Sequence, residues 1–301
     1  MSSGDEAPTD GDGQTGAAVT DGTVPTNGVD TYYVRRGEGP PVVFIHGMAM
    51  DHQMWEPQLS ALSDEFTTIA YDVRGHGRTG GSDAVPYSVD LFADDLDVLL
   101  DGLSIEQPVV VGLSLGGCIA VAYAAAHPEK VARLVLADSF PPGPLSGSTR
   151  LLFANLRVIA RLDRFVRYKR LNRLQMWIGN RLSPGIAGEG DGERVQRLME
   201  ASPTIPHDEF AKIARATAAF PTTPRDCSGV TAPTLVLYGE HVPGPLRDLT
   251  RGLPARLGST DVTVEMVPGG GHASNLDNSA FFTDAVREFA RSVDDRASAA
   301  D

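Results

Sequence analysis

The segment Gly112-Leu113-Ser114-Leu115-Gly116-Gly117 decides the fold of this chain. Apolar residues 108–111 precede it, and the alanine-rich run 118–126 follows it. This order predicts a buried strand, a tight turn and a helix that meet at one serine. A serine at such a turn is raised above the end of a sheet, and the positive end of the helix dipole points at whatever it attacks. The segment therefore favours a nucleophilic role for Ser114. The alternative is a serine without a catalytic role in a glycine-rich turn.

The size and composition of the chain indicate a folded protein with a large core. It has 301 residues, of which 42% are hydrophobic. The longest uninterrupted apolar run, 118–126, is much shorter than the about 20 residues that span a bilayer. Neither a transmembrane helix nor a secretory signal is expected, and the interpretation is a cytoplasmic location.

The net charge of −13 argues against nucleic acid and against anionic membrane surfaces as partners. This acidic balance, in which arginine greatly outnumbers lysine, is similar to that of proteins from salt-loving microbes. The two cysteines, Cys118 and Cys227, are too few for a disulfide framework. We expect Cys118, one helical turn after Ser114, to pack in the core.

Short apolar runs alternate with helical patterns along most of the chain. The predicted strands are residues 31–34, 42–45, 67–71, 108–111, 134–136, 234–238 and 262–267, and the predicted helices include 88–103, 115–126, 245–257 and 279–293. This alternation predicts an α/β fold with a mostly parallel central sheet and helices on both faces. Reactive groups in such sheets lie at the C-terminal ends of the strands.

The alternation stops between residues 141 and 224, where prolines stand at both edges and only helical patterns occur. We interpret 141–224 as a helical cap inserted into a core formed by 29–140 and 225–295. The acidic, glycine-rich residues 1–28 are predicted to be a disordered tail, and 296–301 a flexible one.

A serine needs a base to take its proton, and His272 is the strongest candidate. It follows the last predicted strand and three consecutive glycines, which let its loop bend toward the strand ends. His52 and His76, in early loops, are weaker alternatives. An oxyanion would need two backbone donors, and we assign these to the amides of Leu115 and Met48.

These features together resemble the α/β-hydrolase superfamily, in its capped branch of esterases and lactonases. The resemblance spans about residues 30–293. It rests on the serine segment, His46-Gly47-Met48, Trp55, Asp72-Val73-Arg74-Gly75-His76-Gly77 and Gly271-His272. It implies an α/β-hydrolase fold and a small acyl substrate. Neither a cofactor nor a metal is expected.

The pattern departs from this family at one position. The superfamily usually carries an aspartate three residues after Gly239, but this chain has Val242 there. Two carboxylates could replace it. Asp138 ends the predicted strand 134–136, and Glu240 lies two residues before Val242. A third possibility is that no acid assists His272.

Seven cations and one acid lie between Arg157 and Arg173, in the predicted cap. This basic stretch is interpreted as a solvated face, with attraction of an acidic substrate or partner as the alternative. The favoured function is a serine hydrolase for an ester, lactone or similar small acyl compound. The alternatives are a cofactor-free oxygenase, perhydrolase or C–C bond hydrolase, and a non-catalytic ligand-binding protein. The sequence leaves the oligomeric state open.

Overall fold

The computed structural model describes residues 19–143, 145–170 and 192–291. Its strands form one eight-stranded sheet in the order β1-β2-β4-β3-β5-β6-β7-β8. The strands are β1 (Val19–Thr26), β2 (Val29–Arg36), β3 (Pro41–Ile45), β4 (Thr67–Tyr71), β5 (Val109–Leu113), β6 (Arg133–Ala137), β7 (Thr234–Gly239) and β8 (Val262–Val267). β2 pairs antiparallel with β1 and with β4, and β3 to β8 run parallel.

The α-helices of the described residues connect these strands. They are α1 (Glu56–Leu62), α2 (Val89–Gly102), α3 (Leu115–Ala126), α4 (Gly147–Leu162), α5 (Gly192–Ala201), α6 (His207–Ala219), α7 (Gly244–Arg251), α8 (Ser274–Asp277) and α9 (Ser279–Arg291). The mostly parallel sheet with connecting helices confirms the predicted α/β-hydrolase fold. No helix of the described part combines the length and the apolar composition that crossing a membrane requires.

Alternate residues of the central strands pack into two different layers. Val43 and Ile45 of β3 join the layer that contains α2 and α3, whereas Val42 and Phe44 join the layer that contains α1 and α9. All four side chains are fully buried. A strand covered on both faces reads as a continuous apolar run, which is why β3 and β5 were predictable from sequence.

The first strand corrects the prediction of disorder as far as residue 28. Val19–Thr26 pairs along its whole length with β2, from Val19 opposite Arg36 to Thr26 opposite Val29. Only Thr26 of β1 is fully buried, and Val24 packs partly buried against the core, so the strand depends mainly on its backbone pairing with β2. The remainder of that predicted tail, 1–18, and the predicted tail 296–301 lie outside the described residues.

The regular secondary structure described between β6 and β7 consists of helices, joined by turns and irregular segments, and we refer to 141–224 as the proposed cap. Its α4 packs along α6. Phe140, at the entrance to this segment, contacts the ring of Phe153 with centroids 4.8 Å apart. Tyr168 stacks on Phe210 at 4.6 Å. These aromatic contacts join the helices to one another and to the end of β6.

Candidate active site

Ser114 lies in the turn between β5 and α3. Its backbone has φ 55° and ψ −113°, in a region that non-glycine residues rarely occupy. The Ser114 amide donates a hydrogen bond to the Ala137 carbonyl at 2.9 Å, and the Ser139 hydroxyl donates one to the Ser114 carbonyl at 2.9 Å. The end of β6 therefore holds the strained turn in place.

The turn requires glycine at position 116 because another strand approaches closely. A Cβ atom at Gly116 would lie 2.0 Å from the Ile45 carbonyl oxygen, which is too short for any real contact. This approach brings the end of β3, and the loop after it, beside Ser114. The glycine pattern of the serine segment is thus explained by backbone packing around the turn.

His272 lies beside Ser114, as the prediction of a base required. Its Nε2 atom is 3.1 Å from the Ser114 Oγ, which is hydrogen-bond distance. The imidazole follows β8, and the Gly271 amide donates to the Asp277 carboxylate at 2.7 Å. That bond ties the loop before His272 to α8 behind it.

The His272 side chain is exposed by surface area. Desolvation by the protein around the ring lowers the pKa of His272 below its ordinary value of 6.5. His272 is therefore neutral at pH 7 and able to accept a proton.

The two predicted oxyanion donors flank Ser114. Leu115 opens α3, so its amide is one of the unsatisfied N–H groups of a helix N-terminus. Met48 lies in the loop after β3, directly after Gly47, whose position is within contact distance of the Ser114 Cβ. The Met48 sulfur in turn accepts a hydrogen bond from Thr217 of α6 at 3.9 Å. The proposed cap thus contacts the loop that carries this donor.

The structure does not join Asp138 to His272. One Asp138 oxygen accepts a hydrogen bond from the Gly239 amide at 2.9 Å, and the other accepts one from the Ser274 hydroxyl at 2.5 Å. Asp138 is fully buried, and burial raises its pKa to about 7 despite these two bonds, which lower it. The carboxylate is directed to the end of β7 and the start of α8, so it binds the backbone and hydroxyl donors there.

Glu240 also points elsewhere. It is exposed and accepts a hydrogen bond from the Gly269 amide at 2.9 Å. Val242, at the usual acid position, is buried in the core. Among the hydrogen bonds of the described residues, none joins a carboxylate to His272. The prediction that Asp138 or Glu240 binds its ring is therefore not met in this geometry.

Sequence reasoning missed Ser274, which connects Asp138 to the histidine loop. Ser274 is fully buried and lies two residues after His272, at the start of α8. A serine at that position carries no recognisable motif. Only the folded chain reveals that it meets a residue 136 positions earlier.

The alternative bases, His52 and His76, interact with other residues in the loops after β3 and β4. His52 Nδ1 lies 2.8 Å from Asp72 Oδ1. Burial disfavours charge on His52, but the hydrogen bond and charge of Asp72 raise its pKa overall. His76 is buried, which lowers its pKa to about 3, and its ring packs edge-on against His46. These histidines shape the loops after β3 and β4.

One cluster of the described residues has the composition of a metal site: Asp51, His52 and Asp72. Its donor atoms already have hydrogen-bond partners. Asp51 accepts from the Gln53 amide at 3.0 Å, and Asp72 accepts from His52 and from the Arg78 amide. These bonds satisfy the cluster, so its arrangement is explained without an ion.

Comparisons with known proteins identify the family of this chain. The sequence profile of the alpha/beta hydrolase fold matches residues 40–279. The chain belongs to the α/β-hydrolase family, and it is an enzyme, a hydrolase of that fold.

Three similar proteins are a hydrolase, an esterase and a lactonase. The 2-(acetamidomethylene)succinate hydrolase of Mesorhizobium japonicum is 29% identical over 252 residues, which cover 80% of this chain and 84% of the relative. A thermophilic esterase from Thermogutta terrifontis has a TM-score of 0.71 at 26% identity, covering 92% of this chain and 99% of the esterase. The enol-lactonase from Burkholderia xenovorans LB400 has a TM-score of 0.72 at 23% identity, covering 89% and 99% of the two chains, and shows the fold alone.

Proposed function

We propose that this chain is a serine hydrolase in which Ser114 is the nucleophile and His272 is the general base. The observation that carries this proposal is the 3.1 Å separation of His272 Nε2 and Ser114 Oγ at a strained turn. A serine and an imidazole at hydrogen-bond distance form the minimal pair for nucleophilic acyl transfer.

The reaction proceeds in two steps. His272 takes the proton of Ser114 as Oγ attacks the substrate carbonyl, and the amides of Met48 and Leu115 stabilise the resulting oxyanion. The leaving group departs with the proton from His272, and an acyl-serine remains. Water, deprotonated by His272, then attacks this ester and releases the acid, while the proton returns to Ser114.

None of the described residues places a carboxylate in a hydrogen bond with His272, and this predicts slow turnover. Replacing the acid of a serine triad lowers the rate about 10⁴-fold. Enzymes accelerate their reactions by at least about 10⁶-fold, so a serine–histidine pair with an oxyanion hole still leaves measurable catalysis. A carboxylate would also raise the pKa of His272, whereas here burial lowers it.

The substrate class that we propose is a small or medium ester, lactone or related acyl compound. The similarity to a thermophilic esterase at 26% identity supports this class. The contact of Met48 with Thr217 supports a site bounded on one side by the proposed cap. Perhydrolysis, cofactor-free oxygenation and C–C bond hydrolysis are the alternative reactions on the same pair.

A second candidate function is a ligand-binding protein that does not turn over. The observation that favours it is the lack of a described carboxylate partner for His272. Such a protein would bind a small molecule tightly at Ser114 without releasing a product.

Labelling with a fluorophosphonate probe, together with hydrolysis of p-nitrophenyl esters, tests the proposal. We expect wild type and the control Ser228→Ala, which removes an exposed serine, to label and to hydrolyse. Ser114→Ala should do neither. Failure of folded wild type to label or to hydrolyse any ester would overturn the hydrolase proposal. Hydrolysis that depends on added peroxide would favour perhydrolysis.

A further inference from the structure

The outer surface of α4 carries an unusual number of exposed apolar side chains. Ten large apolar side chains are exposed in the described part of the chain, and six lie in α4 and the turn after it. These six are Leu151, Leu152, Val158, Leu162, Phe165 and Val166. Phe165 is 80% exposed and Leu151 is 72% exposed. A concentration of this kind marks an interaction surface.

The sequence of α4 separates three faces. Thr149, Phe153 and Ala160 are buried, on the side of α4 that faces the rest of the protein. Leu151, Val158 and Leu162 recur at helical spacing and form an exposed apolar stripe. Arg150, Arg157 and Arg161 each precede one member of that stripe by one residue, and they are also exposed. A basic stripe therefore runs beside the apolar one.

The charge of this segment is opposite to that of the whole chain. Residues 147–170 contain seven cations and one acid, in a protein of net charge −13. The acid, Asp163, is buried, with its carboxylate bonded to the Tyr168 amide and to His207. The exposed face of 147–170 therefore carries only positive charge.

An apolar groove continues from the exposed stripe. It encloses about 680 Å³ between α4 and the start of α7. Its walls include Leu151, Val158, Pro243, Pro245 and Leu246. A groove of this size accommodates an extended hydrocarbon chain next to the basic stripe.

We infer that the α4 outer surface, defined by the exposed residues of 147–170, docks on an anionic lipid bilayer. Basic amphipathic helices with leucine and phenylalanine on one face lie in the plane of such interfaces. The arginines would contact lipid phosphates, and the apolar stripe would enter the headgroup region. This inference concerns binding alone and does not depend on the proposed catalytic reaction.

The net charge of the chain does not prevent this docking. Electrostatic interactions are screened beyond about 8 Å at physiological ionic strength. When the basic face is turned toward the lipid, the acidic body therefore contributes little to the electrostatic energy of binding. The local charge of the docking face determines that energy. The net charge of −13 therefore does not exclude anionic membranes as partners, contrary to the expectation from composition.

Two other occupants fit the charge pattern less well. A symmetric dimer through this surface would place two sets of arginines against each other. The N-terminal residues 1–18 are acidic but contain no large apolar side chain besides Met1, so they cannot cover the apolar stripe. An anionic bilayer matches both the charge and the apolar area.

Vesicle co-sedimentation of the full chain tests the inference. We expect binding to vesicles of phosphatidylcholine mixed with phosphatidylglycerol, weakening at high salt, and little binding to phosphatidylcholine alone. Arg161→Ala/Arg164→Ala should weaken binding about 25-fold, because each arginine near an anionic surface contributes about fivefold. Leu151→Ser/Phe165→Ser should weaken it by more than about tenfold.

Matched controls remove equivalent groups elsewhere. Arg251→Ala/Arg256→Ala removes two exposed arginines, and Val264→Ser/Met266→Ser removes two exposed apolar side chains of β8. Both controls should bind as wild type does. Each variant changes only exposed residues, and its thermal unfolding should match that of wild type.

Three results would overturn the inference. The first is an absence of wild-type binding to both kinds of vesicle. The second is an equal loss of binding in the α4 variants and the matched controls. The third is a wild-type dimer in light scattering that Leu151→Ser/Phe165→Ser converts to a monomer without any vesicle binding, because a second copy would then occupy the surface.

Discussion

The carboxylate of Asp138 accepts a hydrogen bond from the Ser274 hydroxyl at 2.5 Å, and it does not contact His272. Its other oxygen accepts from the Gly239 amide. Asp138 thus joins the ends of β6 and β7 to the start of α8, two residues after the histidine. We expect it to act as a positioning residue for the loop that carries His272.

Replacing Asp138 by Asn should therefore lower kcat only modestly. The asparagine oxygen can accept from Gly239 and its amide can donate to Ser274, so we expect a loss of about tenfold or less. An acid in direct contact with the base would cost about 10⁴-fold. Steady-state ester hydrolysis measures this. Glu240→Gln, which changes an exposed carboxylate, is the control and should retain full activity; a loss above about 10³-fold in folded Asp138→Asn would establish Asp138 as the acid.

The stability of the protein should depend on the titration of Asp138. Burial raises its folded pKa from 3.8 to about 7, so the folded state holds a proton that the unfolded state releases. A raised carboxyl pKa makes stability fall as pH rises from about 4 to 7. This difference between the folded and unfolded pKa values corresponds to roughly 4 kcal/mol in the free energy of unfolding. Urea unfolding should show Asp138→Asn gaining stability relative to wild type over this range, and a constant difference between the two proteins would contradict the assignment.

The pH dependence of kcat/KM should report an unassisted histidine. His272 must be neutral to accept the serine proton, so activity is present above its pKa and lost below it. Burial lowers that pKa from 6.5 toward about 4. We expect the acidic limb of the profile to have its midpoint below pH 6.5. A midpoint at or above 6.5 would indicate that a carboxylate approaches His272 in the working enzyme.

Ser114 and His272 should behave as one catalytic unit. Each of the variants Ser114→Ala and His272→Ala should lower kcat by more than about 10³-fold, because neither group functions alone. The double variant should be no slower than either single one. If the loss in the double variant equals the product of the two single losses, the two side chains act independently. The 3.1 Å contact would then have no catalytic role.

Gly116→Ala should destabilise the fold by about 1–3 kcal/mol or more, as overpacking does. The added Cβ would lie 2.0 Å from the Ile45 carbonyl oxygen, and backbone cannot move aside as a flexible side chain can. Gly229→Ala is the control, because nothing lies within 4 Å of its Cβ position. Chemical unfolding of both variants measures the difference, and equal stabilities would contradict the packing argument.

β4 was predictable because it is buried on both faces, and residues 67–71 were predicted with its bounds. Residues 262–267 were predicted with the bounds of β8, which is largely exposed but alternates apolar and polar residues. β1 was missed because its sequence is mostly small and polar, with Val19 and Val24 as its large aliphatic side chains, and pairing with β2 makes it a strand. Side-chain periodicity does not detect backbone pairing in such a segment.

The pairing of Ser114 with His272 was also predictable, since each follows a strand whose end faces the same edge of the sheet. The hydrogen-bond partners of the carboxylates of Asp138 and Glu240 were not predictable. Whether Asp138 meets His272 or Ser274 depends on side-chain directions within a few ångströms, and residues separated by 136 positions carry no joint signal in one sequence.

By itself, the sequence determined the fold family and the position of Ser114 at the turn between a strand and a helix. The strand–turn–helix context and the glycines around Ser114 are local, and backbone sterics permit few alternatives there. Tertiary structure alone decided which donors bind Asp138 and that the histidine lacks an acidic partner among the described residues. It also decided that the cations of α4 lie beside an exposed apolar stripe. These properties depend on how segments far apart in sequence pack together. The physical reason is that contacts between such segments form only when the chain folds.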